Sequence, residues 1–231
     1  MAKDIAPALL EVLKEEFNKK LTQNKKIKEI YRSIQEGKAT YAEVNELSIQ
    51  VGDILAEVFQ ENLSSAILPD GRMYYNIAKR TVEPMMINNY NIVIDSGVIV
   101  QELLNQAAGM RIKAQVPPIN HSRIDGIINR LDAEEVFDDI KWILDEPVKN
   151  FTQAIVDDMV EANADFHHKL GLKPKIIRKA APSCCDWCDK IDGEYDYPDV
   201  PQDVYRRHRF CRCTVEYDPG DGRRQNVWTK Q

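Results

Sequence analysis

The sequence predicts a mainly α protein: a helical body followed by a small C-terminal module that contains β structure and is stapled by a Cys/His cluster. Three observations predict it. Apolar residues recur at helical spacing through the first 170 or so positions. That period disappears after Gly171, where Gly, Pro, Asp and Tyr become frequent. All five cysteines (Cys184, Cys185, Cys188, Cys211 and Cys213) fall in this last stretch, and residues 1–183 hold none. With 231 residues, 43% of them hydrophobic, the chain can bury a real core. Its composition excludes a collagen-like or mucin-like chain and makes wholesale disorder untenable.

Each element follows from a local signal. Asp4 caps a first helix to about Thr22, with Leu9, Leu10, Leu13 and Phe17 on one stripe. A short second helix, roughly 25–36, stops near Gly37. Thr40-Tyr41-Ala42-Glu43 has the S/T-x-x-E form of a capping box. The helix it opens carries Val44, Leu47, Val51, Ile54, Leu55 and Val58 at 3–4 spacing, the strongest periodic signal in the chain. Pro69-Asp70-Gly71 is a turn. Residues 73–110 are mostly helical, with Pro84 either opening a second helix or kinking a continuous one. Gln115-Val116-Pro117-Pro118 is an extended connection. Ser122 caps a helix to Leu131, and Asp132 another to about Leu144. A last long helix runs from about Glu146 to Leu170, with Gly171 at its C-terminal cap. Beyond it, Ile176-Ile177 is extended and Thr214-Val215-Glu216-Tyr217 reads as a strand before the Asp218-Pro219-Gly220 turn.

A boundary near 172–175 therefore divides a helical body, 1–172, from a Cys/His module with short strands, 173–231. Charge divides there too. The net charge is -6, but residues 169–231 carry thirteen Lys and Arg against ten acids, leaving the body acidic and the tail mildly basic. No run of apolar residues is long enough to span a membrane, and the N-terminus shows no secretory signal. The expectation is a soluble protein made in the cytoplasm.

The cysteine pattern is Cys185-x-x-Cys188, then His208-x-x-Cys211-x-Cys213. Two thiolates at C-x-x-C spacing grip one metal from a tight turn. Zinc takes four N or S ligands in a tetrahedron, with Zn–S of about 2.3 Å, and a sulfur-rich set favours zinc over hard cations. The preferred ligands are Cys185, Cys188, His208 and Cys211. Cys213 is an alternative, because on an extended chain it points to the same side as Cys211; His208 would then stand behind an all-cysteine site. Cys184 is not expected to be a ligand. A redox pair and disulfides in an extracellular particle are competing readings. A small segment with few large aliphatics gains most from a structural metal.

Together, Cys185-x-x-Cys188-x-x-Ile191-Asp192-Gly193 and His208-x-x-Cys211-Arg212-Cys213 resemble the C-terminal signature of tailed-phage minor head proteins, the phage head morphogenesis family. The match covers residues 185–213, and the helical body agrees only in architecture. Where the family commonly has Pro after the motif's His, this chain has Arg209. The resemblance implies a non-enzymatic structural protein of the virion or procapsid interior. Its implied partners are the portal protein and the major capsid or scaffold protein.

Arg206, Arg207, Arg209 and Arg212 form a basic stretch beside Tyr205 and Phe210. Arginine forks suit phosphate oxygens, so these four are candidate contacts to double-stranded DNA. The competing reading pairs them with nearby acids such as Asp186, Asp189 and Asp203. A zinc-dependent nuclease, or a DNA-binding protein delivered with the genome, is the alternative function. His167-His168 sits where a helix macrodipole favours cations, and Met85-Met86 suits a core or a subunit contact. No phosphate-binding loop, dinucleotide fingerprint or nucleophile elbow is present.

Overall fold

The computed structural model describes residues 4–219. Its first helix, α1 (Ala6–Gln23), begins where the Asp4 carboxylate accepts the Ala6 N–H. It buries Leu13 and Phe17. The second, α2 (Lys25–Gln35), is capped by Asn24, whose side-chain oxygen accepts the Ile27 N–H. The capping box forms at the start of α3 (Tyr41–Asn62): Glu43 Oε2 lies 2.6 Å from the Thr40 N–H, and Thr40 Oγ1 accepts from Ala42. Val44, Leu47, Val51, Leu55 and Val58 on this helix are fully buried. At about 1.5–3 kcal/mol for each buried aliphatic side chain, this stripe is a principal stabilising surface of the fold.

The next helix, α4 (Tyr75–Ala107), runs unbroken through Pro84. Buried residues on both sides of the proline, Val82, Met85, Met86 and Val93, hold the two halves on one core and override the missing N–H. Met85 and Met86 are thus core residues. After the extended segment comes α5 (His121–Ala133), capped by Asn120 and not by Ser122, as the Asn120 carboxamide accepts the Arg123 N–H. Asp132 opens no helix of its own. Its carboxylate instead accepts the Tyr75 N–H, capping the start of α4, and its carbonyl accepts from Arg72. The stretch that follows is a single turn, α6 (Phe137–Ile140), and a 3-10 turn, Lys141–Leu144.

The long α7 (Glu146–Lys169) packs against both α3 and α4. Two glycines permit that approach. A Cβ on Gly52 of α3 would sit 3.3 Å from the Lys149 Cα, and one on Gly97 of α4 would sit 2.4 Å from the Met159 Sδ. Gly171, with φ +86°, turns the chain out of α7. A three-stranded antiparallel sheet follows, made of β1 (Lys175–Lys179), β2 (Gly193–Asp196) and β3 (Thr214–Asp218), in the order β2-β1-β3. A short helix, α8 (Asp186–Lys190), lies between β1 and β2.

Strand alternation turns Ile176 of β1 and Val215 and Tyr217 of β3 inward, where they join the apolar core of the helices. The Asn45 carboxamide on α3 donates to the Val215 carbonyl, and the His167 ring on α7 meets the Tyr217 hydroxyl. The 172–175 boundary therefore marks a change of element type; the core runs across it. No helix among the described residues is long and apolar enough to cross a membrane.

Candidate metal centre

The N-terminus of α8 and the loop before β3 bring five donors together. Cys185 precedes α8 and Cys188 lies within it, so one helical turn sets their thiols on one side. His208, Cys211 and Cys213 come from the loop that leads into β3. Two three-donor groups result: Cys185, Cys188 and His208, and Cys188, Cys211 and Cys213. Within each, all ligand atoms lie within 4.8 Å of one another. Cys188 belongs to both groups and is fully buried. All five cysteines are free thiols, and Cys184 belongs to neither group.

These spacings can be set against a zinc tetrahedron. With Zn–S of about 2.3 Å, adjacent sulfurs stand about 3.8 Å apart. Cys188 and Cys211 are 3.9 Å apart. His208 Nε2 lies 3.0 Å from Cys188 Sγ and 3.3 Å from Cys185 Sγ. Its other ring nitrogen, Nδ1, is 2.6 Å from the Arg209 carbonyl, which orients Nε2 toward the thiols. A metal-binding histidine is commonly oriented in this way. The donors fit a metal, and Cys213 groups with Cys188 and Cys211 under the same 4.8 Å bound as His208 with Cys185 and Cys188.

The surroundings favour the thiolate at two of the donors, Cys185 and Cys211, and the thiol at Cys188. Burial pushes Cys211 up, but the Cys213 backbone N–H and the charges of Arg207 and Arg178 outweigh it and hold the thiol below its ordinary range. The Cys188 backbone N–H lowers Cys185, helped by that of Trp187. Cys188 is pushed up by burial and by the neighbouring sulfurs of Cys213 and Cys211. Crowded thiols of this kind give up protons when a metal binds.

Arg178 was not legible as part of this centre. It is 1% exposed, and its guanidinium donates to the Val204 carbonyl (2.8 Å) and to Cys211 Sγ (3.5 Å). It forms no ion pair with a carboxylate among the described residues. A buried cation without an anion is costly, and a cluster of thiolates supplies one. The alternation of Ile176 with Arg178 on β1 was the available signal: both point to the same buried face.

The four candidate DNA contacts separate. Arg207 is removed from that set, because its side chain is 1% exposed and forks onto Asp157 of α7, itself fully buried, at 2.5 and 2.7 Å. Its remaining donors reach Gln153 Oε1 and the Cys213 carbonyl. Arg212 is held by Glu146 and Asp53 of the helical body. Arg206 is exposed and pairs with Asp203. Arg209 is exposed and lies over the Phe210 ring. The competing reading placed the pairing acids within the module, whereas Arg207 and Arg212 reach across to the body.

Two further side chains anchor the ligand loop. Glu146, at the start of α7, accepts the Phe210 N–H at 3.0 Å, and Asn150 donates to the His208 carbonyl at 3.0 Å. No protein-family model, curated protein or solved structure matches this chain.

Proposed function

We propose that this chain is a non-enzymatic minor head protein of a tailed phage, and that one zinc ion staples its C-terminal module to the helical body. The module would hold its shape through Cys185, Cys188 and Cys211, with His208 or Cys213 completing the four. The helical body would bind the portal protein, or the major capsid or scaffold protein, inside the procapsid. Bound zinc would supply rigidity there, since closed four-ligand sites contribute folding energy and leave no open position for chemistry.

The observation that carries this reading is the convergence of all five Cys and His donors of the signature stretch around Cys188, beside a buried Arg178 that needs an anion. It is supported by the C-x-x-C…H-x-x-C-R-C signature and by the helical body that precedes it. Double-stranded DNA is the weaker partner in this reading, because Arg207 and Arg212 are already engaged by carboxylates. Copurification from assembling heads tests the partner: the chain should come down with portal or capsid protein, and its absence from such particles would contradict the assignment. Cobalt substitution reads out the ligand set, since an all-sulfur site and a three-sulfur, one-nitrogen site absorb differently.

A further inference from the structure

A cleft of ≈ 400 Å³ opens where α5, the 3-10 turn after α6, the start of α7 and the ligand loop meet. This volume is in the range of ligand-sized sites. Ile127, Trp142, Ile143 and Pro147 make its walls apolar. Trp142 is 49% exposed, although a side chain of that size usually finds cover. Arg123 of α5 and Arg209 of the ligand loop also line it. Neither makes an ion pair with a carboxylate among the described residues; Asp158 and Asp157 act on Arg123 only from a distance. The carboxylate in the cleft, Glu146, is occupied by the Phe210 N–H, Arg212 and Lys149.

Asn150 also lines the cleft; it is 8% exposed, and its amide N–H₂ donates to the His208 carbonyl, which ties the ligand loop to this wall.

We propose that this cleft is the docking site for an acidic peptide segment of a partner protein. One large apolar side chain would enter beside Trp142, and flanking carboxylates would meet Arg123 and Arg209. Charge complementarity selects the occupant: the two free cations call for anions, and the aliphatic walls call for an apolar anchor between them. A nucleic acid fits less well, because Trp142 is the one ring face in a lining otherwise aliphatic and polar, and Glu146 adds a carboxylate to it. The site goes beyond the metal reading and does not rest on it, since none of its test variants replaces a cluster donor.

The test is selection from a random peptide library on the full chain, followed by anisotropy titration of the enriched peptides. The expected result is a Leu, Ile or Phe anchor flanked by Asp or Glu. Affinity should fall at least about tenfold in the Arg123→Glu/Arg209→Glu double variant, and comparably in Trp142→Ala. All three side chains are exposed, so the variants should keep the circular-dichroism spectrum of the folded chain, which makes the loss assignable to the cleft. Failure of any such class to enrich, or enriched peptides that bind both variants normally, overturns the proposal. Displacement of the peptides by oligo(dT), itself lost in the same variants, would assign the cleft to nucleic acid instead.

Discussion

Asp157→Asn removes the charge of the carboxylate that meets Arg207, while keeping its shape. Both side chains are essentially excluded from solvent, and the guanidinium makes two charge-assisted bonds to this group at 2.5 and 2.7 Å. Without the anion, Arg207 keeps only neutral acceptors: the new carboxamide, Gln153 and the Cys213 carbonyl. Breaking a buried ion pair from one side costs about 3–5 kcal/mol. The lower half of that range applies here, because those acceptors remain. For a chain of this size 1 kcal/mol moves the melting temperature by about 2–4 °C, so the variant should melt about 6–15 °C lower by circular dichroism. Asp157→Leu combined with Arg207→Met should recover most of the loss, since replacing both partners by apolar side chains of similar size is nearly neutral. A shift under about 2 °C in the single variant, or a double variant no better than the single, would refute the claim that this pair fastens the module to α7.

Arg178→Met should weaken zinc binding about tenfold or more in a chelator competition, because the cluster loses the cation that faces Cys211; unchanged affinity would show that the charge is irrelevant to the thiols. Gly97→Ala should destabilise by about 1–3 kcal/mol despite the better helix propensity, as the new methyl meets the buried Met159 Sδ at 2.4 Å. Met159→Ala in the same chain should relieve part of that loss in a urea melt. Burial pushes the Asp158 carboxyl up to about 6, aided by the charge of Asp157. The folded state therefore favours the proton. The group is neutral to stability below about pH 4, grows unfavourable as pH rises from about 4 to about 6, and costs a constant ~3 kcal/mol above that. Asp158→Asn should stabilise the protein at pH 8 and leave it unchanged near pH 4, which paired melts at the two pH values would check.

Much of the helical body was legible because its signals are local. The Thr40–Glu43 capping box and the α3 stripe each lie within a few residues, and both formed where the spacing placed them. Errors arose where two neighbouring residues carry the same capping chemistry. Asn120 and Ser122 are both good caps, and the chain uses the first. Asp132 is a good cap as well, but the N–H it satisfies belongs to Tyr75, far away in sequence. The strand β2 was missed because Gly193-Glu194-Tyr195-Asp196 has no buried alternation; it exists through pairing with β1.

The same distinction governs the candidate site. Its donors could be found by spacing, since C-x-x-C and H-x-x-C-x-C place ligands within a turn or a strand. Their electrostatic partners could not. Arg207 meets Asp157 across 50 positions and Arg212 meets Glu146 across 66. A run of four arginines looks like one basic patch until the fold assigns each side chain a carboxylate, or leaves it free as with Arg209. Arg178 was hidden differently, since an arginine in a short strand is ordinarily read as facing solvent.

The central claim, that a zinc ion staples this module onto the helices, is met most directly by elemental analysis of the full chain purified without chelator. About one zinc per chain is predicted. A well-folded protein that carries no metal would contradict it.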